Sequence, residues 1–424
     1  MNKLNYLFLF TGLLMLNACT EFVQETYSYK INEPVFMSAA EFRNSVKVSR
    51  TPQQINKQGK ICFYKDFLYI SEPDKGIHII NNIDPANPKA VGFIEIMGNA
   101  DIAIKNDVLY ADAYIDLVWF DITNPALPVL QGRKENVFPT AIPPMDNFYG
   151  YDYEQCSDKS KGVIVGWELK EKTGTYTKNR WWWWRGGMVD DAYMSNVESG
   201  AKNSGNTGIT GSMARFSLYN NYLFTVMNNT LAVFDLSNRA PVVATDSIYV
   251  GWDVETIFSY KDYMFMGTPR GMLIYSVSNP VKPVYVSSFT HFYGCDPVVV
   301  ENDTAFVTVR SGNLCGQNSN ELIVVDVSNI KQPKQIVSYS MTSPKGLGID
   351  NGTLFLCDDG LKVYDARNPM ILMAKQLAHY KGMDGYDLIP FEHTLMMIAD
   401  DGIYQYDYTD LKNIKQLSKL PIGQ

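Results

Sequence analysis

Residues 322–333 read L-I-V-V-D-V-S-N-I-K-Q-P, an apolar run closed by Asp326 and followed by a Ser-Asn turn and Pro333. The run is too short for a helix of ordinary length and rich in β-branched residues, so it reads as a buried strand leading into a turn. The same phrase recurs. It is G-I-H-I-I-N-N-I-D-P-A-N-P from Gly76, L-V-W-F-D-I-T-N-P-A-L-P from Leu117 and L-A-V-F-D-L-S-N-R-A-P from Leu231. It returns as L-I-Y-S-V-S-N-P-V-K-P from Leu273, L-K-V-Y-D-A-R-N-P from Leu361 and I-Y-Q-Y-D-Y-T-D from Ile403. Between the aligned positions Asn81, Asp121, Asp235, Ser276, Asp326, Asp365 and Asp407 the steps are roughly 40, 114, 41, 50, 39 and 42 residues, a period that belongs to blade-type repeats.

Each unit divides again into four short strands. From Asp101 they read D-I-A-I-K-N-D, V-L-Y-A-D-A, D-L-V-W-F-D-I and P-V-L-Q-G-R, with Asn-Asp, Asn-Asn or Asn-Gly at the tight turns. Four strands in each of seven units predict an all-β chain folded as a seven-bladed β-propeller over residues 59–424. The long step contains a large loop insertion, 136–210, which holds the run Trp181, Trp182, Trp183 and Trp184 and then a Gly/Ser/Asn-rich tract that reads as a mobile loop. A smaller insertion around residues 310–320 lengthens the fifth unit. Residues 19–58 read as a tether, in which P-V-F-M-S-A-A-E-F-R-N-S-V-K adds a strand or a helix at the ring closure.

The strands of the form L-I-V-V-D-V-S-N-x-x-x-P resemble those of the LVIVD-repeat proteins, exported bacterial propellers. The resemblance runs from about Gly59 to the C-terminus outside the insertion, and it fades at Ser276, which lacks the Asp, and at residues 408–410, which lack Asn-Pro. It implies a fold and no catalytic residues.

The N-terminus joins Lys3 to an apolar core from Leu4 to Leu16, the proportions of a secretory signal over 1–18. Leu16-Asn17-Ala18-Cys19 resembles a bacterial lipobox, which implies lipidation at Cys19. Thr20 stands where inner-membrane retention would need Asp, so outer-membrane anchoring is expected, on either face. Export favours disulfides. Cys295 and Cys315 flank a predicted hairpin and are the candidate pair, whereas Cys62 and Cys357 read as small core residues.

A net charge of −8 without a long Lys/Arg run argues against nucleic acid as a partner. No nucleophile elbow, His-Glu-x-x-His or phosphate loop is present, no cofactor is implied, and metal occupancy is left open. The repeated Asp before Ser/Thr-Asn-Pro reads as a turn device rather than a metal ligand. A second recurrence, Gly and then Asp ahead of the first strand, occurs at Asp101, Asp253, Asp296 and Asp384, with His291, Tyr293 and His379 in the connectors upstream. On a propeller these residues are expected at one mouth of the central channel, as candidates for a polar ligand. Trp181–Trp184 are candidates for surface contact. Together these features predict a monomeric, non-enzymatic binding or scaffold module, held to the membrane by lipid, for a protein or glycan. The competing expectation is a carbohydrate-cleaving enzyme working through channel-mouth carboxylates.

Overall fold

The computed structural model describes residues 23–178, 207, 209–251, 253–290, 297–310 and 319–423. They fall into two units. One comprises the described parts of 1–35, 144–159 and 166–193, the other 36–143, 160–165 and the described parts of 194–424. Strands Val23–Met37 and Val163–Lys178, most of whose residues belong to the first, pair in a two-stranded sheet. There Asn32 donates to the carbonyls of Asp146 (2.8 Å) and Tyr149 (2.6 Å), and Tyr151 packs its ring against Trp167.

The second unit is the propeller, with seven antiparallel blades of four strands each in chain order, blade 1 carrying one further strand on either edge. Blade 1 is built from Ile61–Tyr64, Phe67–Glu72, Gly76–Asn81 and Lys89–Glu95, and blade 2 from Ile102–Lys105, Val108–Ala113, Asp116–Asp121 and Val129–Lys134. The inner strands of blades 3 to 7 are Phe216–Tyr219, Thr256–Tyr260, Val298–Glu301, Leu347–Asp350 and Gly385–Phe391. Each blade is covered on both faces by its neighbours, so its middle strands are apolar without alternation. In Glu321–Asp326, for example, Leu322, Ile323, Val324 and Val325 are all buried. The fourth strands form the rim and are the least buried, as in Lys334–Ser340, none of whose residues is fully buried. Cys62 and Cys357 are buried in strands, as expected of core residues.

All seven aligned positions close the same turn. The side chains of Asn81, Asp121, Asp235, Ser276, Asp326, Asp365 and Asp407 each accept from the backbone N–H two residues on, at 2.7 to 3.4 Å. Hydrogen bonds from that residue's side chain and N–H hold the carboxyls of Asp121, Asp235, Asp326 and Asp407 below the usual range.

The hairpins between first and second strands carry a second repeated device. The Asn-Asp turns at 106–107 and 302–303 place both residues at positive φ, the geometry of a type I′ turn. Each turn is gripped by the preceding blade. Tyr64 Oη lies 3.0 Å from both Asp107 Oδ1 and Asp107 N, and Lys65 Nζ is 2.6 Å from the same carboxylate. In blades 4 and 5, Tyr260 and Lys261 hold Asp303 in the same way. Replacing Tyr64 or Tyr260 by Phe is therefore expected to lower stability by about 1 kcal/mol each, measured by urea unfolding. The two losses should add, because the latches share no residue.

Residues 36–58 belong to the propeller unit, and the segment expected to add a strand or a helix at the ring closure instead forms a helix over blades 1 and 2 and leads into a strand on the outer edge of blade 1. Ser38 caps the helix Ala39–Asn44 in a reciprocal pair with Glu41, and Lys47–Ser49 then adds a strand outside Lys89–Glu95 of blade 1. Phe42 is buried over blades 1 and 2, and Arg43 and Arg133 both reach Asp116 at 3.0 Å. Blades 7 and 1 share no strand among the described residues. They meet through reciprocal amide bonds between Asn82 and Gln405 (2.9 and 2.6 Å), Ser418 Oγ donating to Pro85 O (2.6 Å), and the rings of Phe63 and Phe391.

Candidate functional site

The central channel is occupied by the protein's own chain. Leaving the insertion, Thr207 bridges Lys105 of blade 2, and Ile209–Thr210 pair antiparallel with Phe63 and Cys62 on the inner edge of blade 1. Gly211 N donates to Ile61 O, and Ser212 then reaches blades 7 and 6. Its N and Oγ both donate to Asp387 Oδ1 of blade 7 (3.0 and 3.1 Å), and its Oγ accepts from Leu347 N of blade 6 (2.8 Å). Ala214 O accepts from Ile257 N of blade 4, and Arg215 N and Phe216 N donate to Asp101 Oδ2 of blade 2 before the chain enters blade 3. The end of the tract expected to be a mobile loop, residues 207 and 209–211, is thus an ordered part of a plug. Inner-strand edges have unpaired backbone groups, and this segment satisfies several of them.

Around the plug lies a buried set of mixed charges. Lys60, Asp101, Arg215 and Glu255 each stand one residue before an inner strand, in blades 1 to 4. Lys60 is 6% exposed and donates to Met213 O, while Arg215 lies 3.5 Å from Asp112 Oδ2. Asp112 Oδ1 in turn accepts from Ala100 N and Asp101 N (2.7 and 2.9 Å). Asp387 is the counterpart of Asp101. Both take the N–H of the following residue, and both grip the plug. Burial pushes the Asp101 carboxyl up to about 6, against the pull of Lys60 and Arg215, and that of Asp387 up to about 7, against hydrogen bonds and Lys60.

The expected ring of ligand-binding Asp residues has a different structure. Asp101 is fully buried, with its carboxylate spent on backbone N–H groups, so it is a clamp for the plug. Asp253 is exposed in the connector before blade 4. Asp384 is exposed before blade 7, paired with Lys345 Nζ at 2.5 Å. His379 is away from the channel mouth, because 376–380 form the rim strand of blade 6, and its Nε2 is 2.8 Å from Asp359 O. No described hydrogen bond or ion pair joins any two of these four. Cys19, Trp181–Trp184, His291, Tyr293, Cys295, Asp296 and Cys315 lie outside the described residues, and so does the candidate disulfide. Among the described residues no cluster of three or more His, Cys, Asp or Glu side chains is arranged to hold a metal.

The open space in the channel is toward the other mouth, where the inner strands end. A cavity of about 280 Å³ is floored by Ile209, Thr210 and Ser212 and walled by the inner strands of blades 4 to 7. Its walls are mostly aliphatic, with Val299, Ile349, Leu388 and Ile389 among them. Its charged rim is already engaged. Lys261 holds Asp303 at 2.5 Å, and Glu301 accepts from Asn351 N (3.1 Å) and Gly352 N (2.6 Å).

The LVIVD repeat family model matches residues 210–247 and 315–341. A search of curated proteins finds no match. Among solved structures, a protein from Lactobacillus plantarum superposes with a TM-score of 0.53 at 12% identity, covering 86% of this chain and 97% of that one. The computationally designed protein Ika8 superposes with a TM-score of 0.50 at 10% identity, covering 88% of each chain. At such identities the likeness shows the fold alone.

Proposed function

We propose that this LVIVD-repeat propeller is a lipid-tethered binding module of the bacterial envelope that receives an apolar side chain of a protein partner in the cavity at the strand-end mouth. The observation that carries this reading is the cavity itself, with aliphatic walls, an ordered floor and rim charges already engaged within the protein, Lys261 by Asp303 and Glu301 by backbone N–H groups. Such a socket favours a desolvated apolar anchor over an ion, as the buried centres of protein interfaces do. Binding is favoured over carbohydrate cleavage because Asp101 and Asp387 are committed to backbone N–H groups of the plug. The sequence before Cys19 supports the tether.

The test places a photo-reactive amino acid at position 261, on the cavity rim, and separately at 284, on the exposed rim strand of blade 4. The expected result is one cross-linked envelope protein from position 261 and none from 284. Equal products from both positions, or no product from 261, would sink the proposal. Cys19→Ala should move the protein from the membrane to the soluble fraction, and its retention there would refute the tether.

A further inference from the structure

We infer that a second site, a groove on blade 1, binds an uncharged oligosaccharide. The groove has a volume of about 840 Å³ and lies between the chain at 45–56 and the blade. That volume is within the range of small-ligand sites. It is separate from the channel cavity and does not depend on the partner proposed there.

The groove is built on a rigid base. After Lys47–Ser49 the chain turns back over the end of blade 1, where the buried carboxylate of Glu72 holds it. Glu72 Oε1 is 2.6 Å from Lys75 Nζ, and Oε2 is 2.8 Å from His78 Nε2 and accepts from Asn56 N at 3.4 Å. His78, 2% exposed, packs its ring on Phe93 with centroids 4.7 Å apart, and Phe93 lines the groove. The floor of the groove and the backbone at Asn56 are thus fixed before a ligand arrives, which lowers the entropic cost of binding.

The lining chemistry selects the ligand class. Three basic residues, Lys47, Arg50 and Lys75, face three acidic ones, Glu72, Asp74 and Glu95. Lys75–Glu72 (2.6 Å) and Lys47–Glu95 (3.5 Å) pair within the groove, so it presents little net charge to attract a phosphate, a polyanion or a cation. It does present the amides of Gln53, Gln54 and Asn56, with an aromatic ring below. Amides offer donor and acceptor side by side, as the vicinal hydroxyls of a sugar require, and Val48, Met97 and the largely buried Phe93 add apolar lining for C–H groups.

The experiment is calorimetric titration of the full-length protein, in a detergent without a sugar headgroup, with cellotetraose, maltotetraose and the N-acetylglucosamine tetramer. A tetra-galacturonate serves as the charged control. We expect at least one neutral tetramer to bind with Kd below about 1 mM. Its affinity should fall about tenfold or more in Gln53→Ala/Gln54→Ala, because two hydrogen-bonding groups are lost at exposed positions. Lys261→Ala in the channel cavity should leave it unchanged. No neutral tetramer binding at about 10 mM, tighter binding of the charged oligomer, or undiminished affinity in the double variant would each overturn the inference.

Discussion

Lys60→Met is expected to destabilise the propeller by about 3–5 kcal/mol at pH 8 and by much less at pH 5. The ammonium is buried between two carboxylates that it keeps ionisable, Asp101 and Asp387, and it also donates to the plug at Met213 O. Removing it leaves Asp387 without a facing cation and Asp101 with Arg215 alone at alkaline pH. At pH 5 both carboxyls hold protons in the folded state, so the loss shrinks toward that of one hydrogen bond. Urea unfolding at the two pH values reads the difference directly. An equal loss at both would mean that Lys60 acts through packing rather than charge.

The unmodified protein should lose stability between about pH 4 and pH 7. The sign follows from the direction of the shifts. Asp387 is raised from 3.8 to about 7 and Asp101 from 3.8 to about 6, so the folded state binds these protons more tightly than the unfolded chain. Their contribution is therefore fully present below the unfolded value and lost as pH rises through the folded one. For Asp387 alone the change is on the order of 4 kcal/mol. The turn carboxyls of Asp121, Asp235, Asp326 and Asp407 are shifted the other way, and their smaller, solvent-screened contribution is lost in acid. The two trends place the optimum in mildly acidic solution. Asp387→Asn keeps an oxygen for Ser212 and should flatten the decline. A slope that persists in that variant, or a flat profile in the unmodified protein, would assign these protons elsewhere.

The blades were legible in sequence because their information is local and repeated. The strands read after Asp101 correspond to Ile102–Lys105, Val108–Ala113, Asp116–Asp121 and Val129–Lys134, and the turn role of Asp326 and its counterparts follows from residue type two positions before a backbone N–H. The plug was not legible, because its bonds join residues 114, 135 and 175 positions apart and nothing periodic marks them. Lys60 and Arg215 escaped a search for repeated Asp because the position they share with Asp101 changes charge from blade to blade. Asp387 was within reach. The pattern of Gly, one residue, then Asp occurs twice in G-M-D-G-Y-D, and the second copy, three residues after Asp384, holds the buried carboxylate. The latches also have a signal, Y-K-D at 64–66 and again at 260–262, which becomes meaningful only when neighbouring blades are seen side by side.

Among the described residues blades 7 and 1 share no strand, which moves the burden of closure from the circumference to the hub. A segment leaving blade 2 pairs with blade 1 and grips blade 7 through Asp387, so the first and last blades are fastened to a common axle. By this geometry the blade at which the gene starts is a free variable, and a circularly permuted gene that keeps residues 207–216 continuous would close the same ring from a different starting blade. The continuity that matters for closure is that of the axle rather than of the seam.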